Sequence, residues 1–242
     1  MKQPLVLTLV GVALALGFGA WLYLQPGPQQ QALQTRELAT RGLAEYLART
    51  YPGQRALVIS NPYTKEKAAA GNMSAYEEAG RRGLRLGFGQ QIAVEAVVFP
   101  ELKPGALENP RAFIVDPQTP TPLSYLMRED AFDKLAQQHP GCRLFVSLIG
   151  LPADLSKVAF WPDANAPKLA LLLPDLQLVG DTTAVRDAMN SGRLAAFVMN
   201  KPGAPPEQEP PGRDVAAEFA RRFVLVTPES IDSVLQTWPQ LF

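Results

Sequence analysis

Residues 168–199 read KLALLLPDLQLVGDTTAVRDAMNSGRLAAFVM. Lys168 to Leu173 is a short apolar run, and Leu194 to Met199 is another. Between them Asp181 stands where a helix N-cap belongs, and Gly192 stands where a helix stops. A strand with one wet face alternates polar and apolar residues, whereas one covered on both faces does not. The two runs therefore predict buried strands, and the helix joining them predicts the crossover of a parallel pair.

The same grammar extends in both directions. Arg55 to Ser60 (RALVIS), Ile92 to Phe99 (IAVEAVVF), Arg143 to Ile149 (RLFVSLI) and Phe223 to Val226 read as further strands, with Arg111 to Val115 as a shorter one. Gln29 to Tyr51 reads as an amphipathic helix. Ala39, Leu43, Tyr46, Leu47 and Thr50 form its stripe, with Glu37–Arg41 and Glu45–Arg49 pairs on the opposite face. Ser74 to Glu77 has the form of a capping box opening a helix, with Glu77–Arg81 and Glu78–Arg82 pairs and Gly83, Gly87 and Gly89 near its end. Thr121-Pro122 opens a helix expected to run to Gln138, where His139-Pro140-Gly141 stops it. Asp214 to Arg222 is a further helix, and Thr227-Pro228-Glu229 caps a last one ending near Trp238. Residues 152–167 and 203–212 are proline-spaced loops, the second polyproline-like. These elements predict an α/β fold: a doubly wound, mostly parallel open sheet, Rossmann-like, in three αβα layers.

The other end of the chain has a different character. Leu5 to Leu24 (LVLTLVGVALALGFGAWLYL) is a run of 20 residues without a charge, long enough as a helix to cross a bilayer. Trp21 and Tyr23 fall at an interfacial level. The run outlasts the usual apolar core of a cleaved signal peptide, and no cysteine follows it for lipidation, so an uncleaved anchor is favoured over cleavage. Lys2 favours a cytoplasmic N-terminus. The expected organisation is an anchor and linker over residues 1–28, with one α/β domain over 29–242 held in the periplasm or outside the cell.

Composition narrows the function classes. The 242 residues carry 23 basic and 23 acidic side chains, and 47% are hydrophobic. A balanced charge gives no electrostatic footprint for nucleic acid, and the apolar content excludes disorder. One cysteine, Cys142, and one histidine, His139, leave no disulfide framework and no multi-His or multi-thiolate metal site. Cys142 begins an apolar strand and reads as packing; His139 reads as a helix C-cap. The glycines of residues 83–89 close a helix instead of opening one, so they form no dinucleotide loop. No cofactor is expected.

In an open α/β sheet, ligands bind beyond the carboxyl ends of the strands. The polar residues at those ends are Asn61, Tyr63 and Lys65, then Asp116, Asp175 and Asn200, with Asp181 and Thr182 opening a helix on the same edge. Their amides, carboxylates and hydroxyls suit a small polar ligand, although capping alone accounts for Asp181. Phe160-Trp161 would serve either as an exposed aromatic contact or as a flap sealing the core.

Ala184 to Pro202 (AVRDAMNSGRLAAFVMNKP) resembles a late segment of type I periplasmic substrate-binding proteins. The resemblance implies one lobe of that fold, with Asp181 and Asn200 facing the ligand cleft. Those proteins close two lobes over the ligand, and this chain has material for about one and a half. Three functional readings stand: a membrane-tethered domain that binds a small polar ligand, a non-catalytic interaction module of a cell-envelope assembly, and a hydrolase with a dispersed carboxylate site.

Overall fold

The computed structural model describes residues 27–65, 71–163, 165–207 and 209–242. The apolar run Leu5 to Leu24 lies outside the described residues. Among those described, no helix is long and apolar enough to cross a membrane.

The chain forms helix α1 (Pro28–Thr50), strand β1 (Arg55–Ile59), helix α2 (Gly71–Phe88) and strand β2 (Ala93–Val98). Two short helices follow, α3 (Leu123–Leu126) and α4 (Ala131–Gln138), then β3 (Leu144–Ser147) and β4 (Lys168–Leu172). Helix α5 (Thr182–Asn190), β5 (Leu194–Asn200), α6 (Val215–Arg222), β6 (Phe223–Val226) and α7 (Ile231–Thr237) complete it. The strands form one sheet in the order β2-β1-β3-β4-β5-β6. Every pair is parallel except β5–β6, which is antiparallel.

Successive strand residues point to opposite faces, and every residue of β3 is buried, as are four of the five in β1 and in β4. Both faces of the sheet are therefore covered. Helix α1 packs on the β4–β5 part of the sheet and touches both α2 and α6, while α5 and α7 pack together beside β5. The outermost strand β2 alternates exposed and half-buried residues, as an edge strand does. Because β1 sends its chain outward to β2 and the path then returns to β3 on β1's other side, the strand order reverses between β1 and β3. That reversal leaves a crevice at their carboxyl ends.

Four expectations need correction. Arg111 to Val115 is not a strand: Pro110–Ala112 is a 3-10 turn, Val115 is 83% exposed, and prolines at 110, 117 and 120 remove ladder donors around it. The helix expected over 121–138 is broken, because Met127 turns extended to bridge Leu102 and only then does α4 begin. Ser74 to Glu77 is no capping box, since α2 already runs from Gly71 and the Glu77 carboxylate points into the protein. The charge pairs are also rearranged: Arg41 holds Glu45, Glu78 holds Arg81 and Arg85, and Arg82 reaches across to Glu37 on α1.

Candidate functional site

The carboxyl edge of the sheet holds two adjoining clefts. The first, of about 500 Å³, opens at the β1–β3 reversal and is lined by Asn61, Tyr63, Met73, Tyr76, Ile114 and Leu148 among others. The second, of about 350 Å³, lies beyond β4 and β5 and is lined by Thr35, Asn200, Lys201, Pro205, Glu207 and Arg222 among others. Arg36, Tyr76, Leu172 and Leu173 line both. Leu173, at the end of β4, has φ +45° and is the only non-glycine with positive φ among the described residues. Such a conformation costs on the order of 1–3 kcal/mol and persists only where the surroundings enforce it. Leu173 itself lines both clefts.

The shared wall is built around an ion pair. Arg36 of α1 donates through Nη2 to Glu77 Oε1 at 2.7 Å and to the Leu148 carbonyl at 3.2 Å. The other Glu77 oxygen accepts from Ser60 Oγ at 2.6 Å and from the Asn61 N–H at 3.3 Å. The Arg36 guanidinium stacks on Tyr76, 4.4 Å from the ring centre. Its Nε is buried against Gly80 with no hydrogen-bond partner. The Tyr76 hydroxyl donates to Glu207 at 3.1 Å. Burial pushes the Tyr76 phenol up from its usual pKa, with Arg36 opposing and Glu207 assisting, so the donor keeps its proton.

The second cleft has a strap. Residues 203–207 run along it, and Thr35 donates to the Glu207 carbonyl at 3.3 Å. The fully buried Arg222 donates to the carbonyls of Pro206 at 3.0 Å and Glu209 at 2.7 Å, while its Nε is held by Glu218. The loop that reads as polyproline-like in sequence is tied down by a buried guanidinium.

The residues expected at the strand ends divide. Asn61 and Tyr63 line the larger cleft and Asn200 lines the smaller. Asn61 also caps the 3-10 turn Pro62–Thr64, accepting from the Tyr63 N–H. Asp116 follows no strand and closes a turn through the Gln118 N–H. Asp175 is buried, capping Gln177 and accepting from Thr119, so its oxygens are occupied. Asp181 caps α5 through the Ala184 N–H with Thr182 exposed beside it, and Lys65 is exposed; none of these three lines a cleft. Sequence reasoning missed Arg36, Tyr76 and Glu77. A buried Arg–Glu pair 41 residues apart leaves no local spacing to detect.

The other candidates are structural. His139 ends α4 through its N–H to the Leu135 carbonyl, and its Nδ1 lies 3.3 Å from Glu95. Phe160 packs edge-to-face on Phe145, and Asp133 accepts from the N–H groups of Ala159 and Phe160, so this loop is the flap and not an exposed aromatic contact. Among the described residues no cluster of His, Cys, Asp or Glu would hold a metal.

No protein-family model matches the chain, and no curated protein matches it. Among solved structures it is similar to the substrate-binding protein of a sugar ABC transport system from Bordetella parapertussis 12822, with TM-score 0.46 and 12% identity over 83% of this chain and 58% of that one. A periplasmic solute-binding protein of an ABC transporter from Actinobacillus succinogenes 130z, with bound D-allose, gives TM-score 0.44 and 9% identity over 82% of this chain and 62% of that one. An ABC transporter solute-binding protein from Mycobacterium smegmatis, with bound glycerol, gives TM-score 0.43 and 13% identity over 84% and 61%. The chain spans less than two thirds of the length of these proteins. The likeness is weak and is one of fold.

Proposed function

We propose that this is a non-catalytic binding domain that takes a small ligand at the carboxyl edge of its sheet, a polar group of that ligand meeting Asn200 in the strapped cleft. The supporting observation is the placement of two adjoining clefts at that edge around one wall, the buried Arg36 stacked on the half-buried Tyr76. The Asn200 side chain hydrogen-bonds to no other described residue, which leaves its amide for a ligand. In this reading Leu5 to Leu24 tethers the domain to a membrane, with the domain outside the cytoplasm.

The hydrolytic reading has less support. A carboxyl group serving as general acid carries a raised pKa. Among the described residues, every carboxyl group with a resolved shift, from Glu78 to Glu229, is shifted downward.

The test is thermal melting of the full chain against sugars, polyols, amino acids, nucleosides, simple anions and aryl or alkyl carboxylates. A ligand at about 100 times its Kd adds about 2.7 kcal/mol, a rise of several degrees at this size. A rise that disappears in Asn200→Ala supports the proposal. An unchanged melting temperature across the panel removes it and moves the weight to an interaction module.

A further inference from the structure

We infer that the larger cleft is a second subsite, one that accepts an apolar ring or short alkyl chain, so that the ligand is an amphipathic small molecule and not a sugar. The inference rests on the ligand-binding reading above and adds the chemical class.

Its first support is the lining. Of the described residues around the larger cleft, 11 of 17 are aliphatic, Met or Pro. Half-buried Ile114 and Leu123 and the 46%-exposed Met73 present this surface to solvent. Leu107 at 58% and Val115 at 83% exposure are chain neighbours of Ala106, which holds the Tyr63 hydroxyl, and of Ile114. Among the described residues, three of the five large exposed apolar side chains therefore lie in the segments that frame this one cleft.

The second support is that the polar groups in the cleft are already engaged. Asn61 Oδ1 accepts from the Tyr63 N–H, and its Nδ2 faces Met73 Sδ at 3.3 Å. The Tyr63 hydroxyl donates to the Ala106 carbonyl at 3.1 Å. Thr121 Oγ1 accepts from Ser124, and the Glu77 carboxylate is taken by Arg36, Ser60 and Asn61. A sugar entering here would give up its water and find few free donors or acceptors, which is unfavourable for each group left unmade. A ring or alkyl chain gives up no hydrogen bonds and removes apolar wall from water. A mostly apolar pocket with a few polar groups to set orientation is the usual form of a small-molecule site.

The third support is continuity. Tyr76, Arg36, Leu172 and Leu173 bound both clefts, so an apolar body in the larger one places its polar end toward Asn200 and Glu207.

The probe is 3-(4-fluorophenyl)propanoate, titrated by fluorine NMR into the full chain in lipid nanodiscs, with empty nanodiscs as the blank. Binding with a Kd on the order of 0.1–1 mM is expected for a fragment of this size. Ile114→Trp fills the cleft from a loop and should weaken binding about ten-fold or more. Met73→Trp fills it from the half-exposed side of α2 and guards against a folding failure at Ile114. D-Glucose and acetate, titrated alongside, should not compete. Equal binding to both Trp variants and the unaltered chain would overturn the subsite. So would D-glucose or acetate binding that is lost in Asn200→Ala while the fluorophenyl probe fails to bind; that outcome leaves the proposed function standing. If no probe binds, both fall.

Discussion

Arg36 and Glu77 meet at 2.7 Å across the α1–α2 interface with only 7% and 4% of their side chains exposed. Two charges leave water there, and the Coulomb gain repays that desolvation only while both partners and their hydrogen bonds are in place. The pair secures the shared wall of the clefts, because Glu77 also fixes Ser60 and the Asn61 N–H at the end of β1. Glu77→Ala strands the Arg36 charge and should cost about 3–5 kcal/mol in urea unfolding. The double variant Arg36→Met with Glu77→Leu should cost clearly less than the two single changes combined. Additive costs would mean that the two residues act separately.

A second ion pair makes the strap sensitive to acid. Arg221 first, and then Arg222 and the Gly212 N–H, hold the Glu218 carboxyl down at about 2 from an ordinary 4.5, against the opposing effect of burial. The folded pKa is depressed, so this stability is fully present above about pH 4.5 and is lost as the pH falls toward 2. Arg221 is 44% exposed, so the contribution is on the order of 1–3 kcal/mol after solvent screening. Glu218→Gln should flatten the unfolding free energy between pH 4.5 and 2. Protease cutting within 203–212 should rise over the same interval in the unaltered chain, because Arg222 holds Pro206 and Glu209 while Glu218 holds Arg222. An unchanged pH slope in Glu218→Gln would refute this.

Cys142 should stay silent toward thiol reagents in the folded protein. It is 1% exposed, and burial, followed by Glu95, pushes its pKa up to about 11. Both the reactive thiolate and the access it needs are therefore missing at neutral pH. Labelling by a disulfide reagent should follow the unfolding transition in urea. Stoichiometric reaction within minutes in native buffer would show that the N-terminal end of β3 opens locally.

The sheet was legible where its signals are local. Residues 168–199 form the expected strand–helix–strand unit because both faces of β4 and β5 are apolar and Asp181 caps its own helix at 2.9 Å. The antiparallel run of β6 was not legible, since a four-residue apolar segment reads alike in either direction. In the site, the strand-end rule found Asn61, Tyr63 and Asn200, but it also gathered Asp116 and Asp175, whose carboxylates are used by their own turns. Arg36 reads in sequence as one more charge on an amphipathic helix. Only the packing of α2 against α1 shows that it is buried.

That packing depends on glycines which the sequence presents only as a helix end. A Cβ at Gly83 would stand 2.1 Å from Thr40 Oγ1 and 2.2 Å from the Glu37 carbonyl, and one at Gly87 would stand 2.5 Å from the Arg41 carbonyl. Two of these neighbours are backbone of α1 and have little room to move, so the helices can approach this closely only over glycine. Alanine gains about 1 kcal/mol over glycine in helix propensity, which would make both substitutions stabilising on an isolated helix. Here overpacking should win, with Gly83→Ala costing about 1–3 kcal/mol or more by urea unfolding. Because Arg36 and Glu77 face each other across the same interface, the variant should also weaken any ligand held at the shared wall. Gly89 is the control: nothing lies within 4 Å of its Cβ position, so only its φ of +53° opposes alanine, at a cost of about 1–2 kcal/mol that involves no α1 contact. A Gly83→Ala variant as stable as the parent would mean that α1 and α2 can separate without loss, and the shared wall would then be too loose to define a site.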